Sequence, residues 1–218
     1  KTIDYNVIYN KYFKNKRSFR KRVKSEFYSL NDKKISPYDD LMKKYAKKIG
    51  WDWRLIASVS YQESQFKPSN ESWAGAQGLM QIMPRTAAEL EITNPNDPEQ
   101  SIRGGTRYLS ELWEAHENIP DSIQRIKFTL ASYNAGLYHI KDAQRLAEEF
   151  DLNPRIWDNH VEEALLKLDK PEFYNKDFIK YGFVRAKQPY LYVREIFKRY
   201  EQYRTFIPEK NEVEVVSN

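Results

Sequence analysis

Glu63 stands next to last in the segment 51–64, WDWRLIASVSYQES, and is the residue here with the most chemistry to offer. Wound as a helix, the segment puts Leu55, Ile56, Val59 and Ser60 on one side, and Glu63 follows Val59 and Ser60 at steps of four and three. A carboxyl at the end of an apolar face is costly to ionise, so its pKa climbs toward neutrality, as a general acid requires. By spacing alone, a buried carboxylate with a structural partner is as good a reading. The next carboxylate, Glu71, stands among turn residues and reads as a solvated surface group. His116, His139 and His160 have no ligand spacing, so packing or surface roles are expected, with no metal site and no cofactor. The absence of cysteine excludes disulfides, thiol nucleophiles and thiolate metal ligands.

The elements that must position Glu63 read as helices almost throughout. Ser36-Pro37 predicts an N-cap and an N1 proline for a helix running to Gly50, which stands at a C-terminal stop. Asp97-Pro98 repeats the device. After it, Ile102, Gly105, Tyr108, Leu109, Leu112, Trp113 and His116 recur at helical steps, while Gly104 and Gly105 permit close approach of a neighbour. Further helices are predicted near 52–63, 122–135, 137–150, 158–168 and 189–204. Between them, 64–83 carries Pro68, Ser69, Asn70, Gly75 and Gly78, so a bent loop or a small strand is expected around GLMQIM. Ile123, Ile126, Leu130, Tyr133 and Asn134 share one helical face, which would aim Tyr133 and Asn134 from the helix end toward a groove. As residue types alone, Met80 and Gln81 fit a packed loop.

The 218 residues suit one domain of ordinary size or one domain with an appendage, and 40% of them are apolar, enough for a sizeable core. Sixteen Tyr, 11 Phe and 5 Trp fit either an aromatic core or a polar-lined groove that stacks on its ligand. No apolar run approaches the roughly 20 residues that span a bilayer. The net charge of +5 favours anionic partners, yet much of the excess lies in KYFKNKRSFRKRVK at 11–24. That run reads as a solvated face or a connector; no nucleic-acid-binding motif accompanies it, so no nucleic-acid partner is expected. Residues 1–35 differ in composition from the rest and are expected to be a basic linker or the remnant of a preceding domain. Residues 206–218 are expected to be a frayed tail.

Longer motifs carry more. Glu63-Ser64, Phe66, Pro68, Ser72, Gly75-Ala76 and GLMQIMP at 78–84 closely resemble the E-S-x-F-x-P…S-x-x-G-A-x-G-L-M-Q-x-M-P signature of family 1 lytic transglycosylases, lysozyme-like enzymes that cleave peptidoglycan. ASYNAG at 131–136 resembles the family's A-Y-N-A-G motif, and QPYLYVREIFKRY resembles its closing E-T-x-x-Y-V helix, with Gln188 and Pro189 in place of the usual Glu-Thr pair. The resemblance covers roughly 36–205 and is strongest to the membrane-bound F group of that family.

The resemblance implies a mainly α, lysozyme-like domain of the goose-type lysozyme and soluble lytic transglycosylase kind, with at most a small β element. It implies that Glu63 is a single acid/base cutting the β-1,4 bond between N-acetylmuramic acid and N-acetylglucosamine with formation of a 1,6-anhydromuramyl product. Because the substrate supplies its own nucleophile, no second carboxylate is needed. Ser72, Met80, Gln81, Tyr133 and Asn134 are implied to line the sugar site, and Tyr192 to bond and orient Glu63. Ser64 reads as support for the turn backbone. The expected protein is a monomer of the periplasm, acting on glycan strands and reaching the outer membrane through upstream sequence; the start at Lys1 fits a fragment. A goose-type muramidase using water, and a non-catalytic peptidoglycan-binding module, are the alternatives.

Overall fold

A computed structural model describes residues 34–208. The helices are α1 (Asp39–Lys48), α2 (Trp53–Ser64), α3 (Pro84–Glu89), α4 (Pro98–Glu114), α5 (Ser122–Ala135), α6 (Leu137–Glu149), α7 (Glu162–Leu165), α8 (Pro171–Tyr174) and α9 (Lys187–Phe206). The expected basic linker lies almost wholly outside the described residues, as does most of the expected tail. Described chain continues as helix through Phe206, past the expected boundary.

Asp52, Asp97 and Asp121 each cap a helix, accepting from the backbone N–H of Arg54, Gln100 and Gln124 at 2.8–2.9 Å. Each such cap contributes about 1 kcal/mol. The predicted Ser36 cap is displaced. Helix α1 begins at Asp39, whose buried carboxylate turns back to accept from the N–H groups of Ile35 and Ser36 and from the Ser36 hydroxyl, all at 2.8 Å. Gly50 ends the helix as expected, at φ +69°.

Helix α2 runs through the middle of the molecule with Leu55, Ile56 and Val59 at most 1% exposed. Full burial of such a side chain stabilises by about 1.5–3 kcal/mol. Helix α1 covers α2 and also meets α4; α9 lies against both α2 and α5; α4, α5 and α6 pack in sequence. The α4 glycines admit close neighbours as expected: a Cβ at Gly105 would stand 2.7 Å from Met80, and one at Gly104 would stand 2.1 Å from Ile92.

The loop after α2 forms only isolated bridges among the described residues, Glu71 with Gln77 and Gln77 with Ile82. The predicted helix over 158–168 is also corrected. Asp158 and Asn159 have non-helical backbone, Asn159 at φ +60°, so a π-type turn over Trp157–Val161 precedes the four-residue α7. Short α3 and α8 escaped the periodicity reading, although each starts on the proline that signals N1.

Candidate active site

Glu63 occupies the last turn of α2, and the chain then leaves the helix sharply through Gln65 and Phe66, both left-handed at φ 54° and 62°. Phe66 is buried, and its edge-on contact with Tyr61 at 5.5 Å holds this bend. The buried hydroxyls of Ser60 and Ser64 donate to the Leu79 carbonyl at 3.2 and 3.0 Å, tying the helix end to the following loop. Gly78 passes under Pro95, where a Cβ would stand 1.9 Å from the Pro95 oxygen. The loop therefore runs against the Glu63 turn as a fixed wall.

From the far end of the sequence, the buried Tyr192 hydroxyl on α9 donates to Glu63 Oε1. Burial lifts the Glu63 pKa to about 7, against the lowering effect of that hydrogen bond. No cation among the described residues pairs with Glu63. Burial, followed by the nearby Glu63 charge, drives both Tyr192 and Tyr133 well above the usual phenol range, so both stay neutral. A carboxyl with a pKa near 7 is present in both protonation states at neutral pH and can give a proton and later take one.

The other expected residues divide. Tyr133 reaches across from α5 and donates to the Met80 carbonyl at 2.7 Å, with its ring 5.3 Å from Tyr108. Met80 itself is 0% exposed with its side chain against Gly105, so the expected apolar wall facing the sugar is corrected: the side chain belongs to the core and its carbonyl holds Tyr133. Gln81, at φ 47°, spends its amide N–H groups on the Asn70 and Gly78 carbonyls at 2.9 and 3.0 Å, leaving Oε1 as the group it can offer a ligand. The Ser72 hydroxyl accepts from the Ala76 N–H at 3.0 Å and keeps its own proton to donate. Asn134 is exposed on the last turn of α5, although Ile123, which opens the expected face, is also exposed. Glu71 is exposed, as expected of a solvated group.

Sequence reasoning placed Ser64 correctly but missed Ser60 and Tyr108. Ser60 was read only as part of the buried face of α2, and Tyr108 only as part of the α4 stripe; both signals were helical spacing beside a named site residue. His116 is wholly buried, bonded to the Ser132 hydroxyl at 2.8 Å, and burial brings its pKa to about 3, which places it in packing. No cluster suited to hold a metal ion occurs among the described residues.

A family model described as the transglycosylase SLT domain matches residues 40–156. Over 192 residues the chain is 40% identical to the membrane-bound lytic murein transglycosylase F of Shewanella halifaxensis, an alignment covering 88% of this chain and 39% of that protein. The protein of the same name from Marinobacter nauticus is 40% identical over 173 residues, covering 78% of this chain and 33% of its own. This chain thus spans well under half the length of these relatives. Among solved structures, the 70 kDa soluble lytic transglycosylase from Escherichia coli aligns with a TM-score of 0.55 at 25% identity, covering 79% of this chain and 25% of that one. The 70-kDa soluble lytic transglycosylase in complex with bulgecin A aligns with a TM-score of 0.56 at 26% identity, covering 80% of this chain and 25% of that one.

Proposed function

This chain belongs to the transglycosylase SLT domain family, and from that premise we propose that it is a peptidoglycan lytic transglycosylase whose catalytic domain spans about 36–205. Protonated Glu63 donates to the glycosidic oxygen between N-acetylmuramic acid and N-acetylglucosamine as the C1–O bond breaks. The muramyl 6-hydroxyl oxygen then bonds to C1, and the Glu63 carboxylate takes its proton, restoring the acid and closing a 1,6-anhydro ring. The substrate's acetamido group stabilises the intervening oxocarbenium-like centre. The observation that carries this reading is the solitary carboxyl of Glu63, raised to about 7 and bonded by a neutral phenol.

Tyr192 acts as a positioning residue, fixing which Glu63 oxygen faces the sugar. Tyr133 forms a side of the groove, supported by the Met80 carbonyl. The Ser72 hydroxyl, Gln81 Oε1 and Asn134 are the polar groups assigned to the sugar substituents. The names of the relatives support a bacterial cell-envelope location. We assign the protein to the periplasm, as a monomer, with outer-membrane association supplied by sequence outside the described residues; no described helix is long and apolar enough to cross a membrane.

Mass spectrometry of digested sacculi tests the reaction. Products one water lighter than hydrolytic muropeptides are expected, and ordinary reducing muropeptides would mean a muramidase. Retained binding with lost clearing in Glu63→Gln is the result that separates catalysis from adhesion.

A further inference from the structure

Helix α6 bears a second concave site, sharing none of the residues assigned to the groove at Glu63. It is a cavity of about 280 Å³ lined by Lys141, Gln144, Arg145 and Glu148 of α6 together with Asn118, Pro154 and Arg155 from flanking loops. Its size, just below the roughly 300 Å³ where ligand pockets begin, suits one or two amino-acid residues.

Its charges are unbalanced. The Lys141 ammonium is half-buried and donates to the Ala115 carbonyl at the end of α4, at 3.1 Å, with no carboxylate within bonding distance among the described residues. Burial, then the neighbouring Arg145 cation, depresses its pKa, so an anion placed beside it would recover lost stabilisation. Arg145 is held by the fully buried Asp142, which also accepts from the N–H groups of Lys180 and Tyr181 at 3.0 and 2.6 Å. That anchoring fixes the guanidinium at the cavity wall with donors to spare. Arg155 is exposed at the mouth. Of the three lining cations, Arg145 is offset by Asp142 behind it and one more by Glu148 at the wall, leaving the charge of one monoanion to be matched. A phosphate, carrying nearly two negative charges at neutral pH, would overshoot and meet Glu148.

We propose that this cavity binds the C-terminal carboxylate of a short peptide. Lys141 and Arg155 take the carboxylate, and the Gln144 side-chain oxygen and Asn118 meet the peptide amide. Gln144 is set for this because its amide nitrogen is already given to the Pro154 carbonyl at 2.8 Å, which turns its oxygen toward a donor. Glu148 selects for an N–H or amine on the ligand and against a second negative charge. The site is independent of the chemistry at Glu63.

Calorimetric titration of the 218-residue chain at low salt with N-acetyl-alanyl-alanine, its C-terminal amide and inorganic phosphate tests this. The free acid is expected to bind saturably, with the amide and phosphate about tenfold weaker or worse. Lys141→Met and Arg155→Gln should each weaken the acid by about five- to tenfold, and Glu63→Gln should leave it unchanged. Arg155, exposed on a loop, keeps the test valid if loss of the Lys141 contact to α4 lowers the melting temperature. Equal binding of acid and amide, tighter binding of phosphate, full affinity in Arg155→Gln, no saturable binding, or loss of binding in Glu63→Gln would each overturn the assignment.

Discussion

Helix α2 meets α9 through a carboxylate and a tyrosine at each of its ends, and the two contacts have opposite acidity. At the start, Asp52 accepts from the Tyr200 hydroxyl at 2.9 Å and from the Arg54 guanidinium at 2.9 Å, while Arg54 also reaches the Ile207 carbonyl. Burial there would raise the Asp52 pKa, but the hydrogen bonds from Arg54 and Tyr200 outweigh it and hold the carboxyl below its ordinary range. At the end, Glu63 has burial and Tyr192 but no cation among the described residues, and its pKa rises to about 7. A phenol alone does not keep a buried carboxylate ionised; an adjacent guanidinium does. One contact is therefore a permanent clamp, and the other is a reusable proton carrier.

The contrast breaks most visibly at Glu63. Glu63→Gln should lower sacculus clearing by about 10³-fold, with the fold intact by circular dichroism. At the other end, Asp52→Ala should leave chemistry at Glu63 intact per folded molecule but cost about 3 kcal/mol of stability in denaturant titration. It removes a helix cap and the Asp52 carboxylate paired with a guanidinium whose side chain is 2% exposed.

The two carboxyls should also pull stability in opposite directions with pH. The folded pKa of Glu63 lies above its unfolded value of 4.5, so its contribution is fully present below about pH 4.5 and is lost as pH rises through about 7. Glu63→Gln should then be more stable than the parent by about 3 kcal/mol at pH 8, with the difference vanishing near pH 4. Asp52 has the reverse sign: its stabilisation is present above its unfolded pKa of 3.8 and declines as pH falls through the lower folded value. Asp52→Asn should accordingly narrow its deficit in strong acid. The smallest effect belongs to Tyr192→Phe, expected to reduce kcat about tenfold. Because the Tyr192 hydrogen bond lowers the Glu63 pKa, its loss should move the alkaline limb of the rate profile to higher pH.

Glu63 and its apolar face were legible because helical period and residue type coincide there, and the Asp97 cap because Asp-Pro is a local signal. The Asp52 clamp was not, since its partners Tyr200 and Ile207 come from the other end of the chain. Tyr192 entered through family resemblance alone; nothing in QPYLYV says that one of its tyrosines meets a carboxylate 129 positions away. The role of Met80 was misjudged for a related reason. The residue types alone fit a packed loop and the family motif implied a place at the sugar; the bare surface of Gly105 on α4 explains why the side chain turns inward. The cavity on α6 left no motif, because two of its cations are set by helix phase and the third, Arg155, comes from a separate loop.

The long separation of Glu63 from Tyr192 also sets when this chain becomes reactive as it folds. Helices α1 to α6 can begin to pack before α9 docks, and until it does the Glu63 carboxyl lacks the Tyr192 hydroxyl. Docking of the last described helix brings the Tyr192 hydroxyl to the acid, so competence at Glu63 is itself a readout of completed folding.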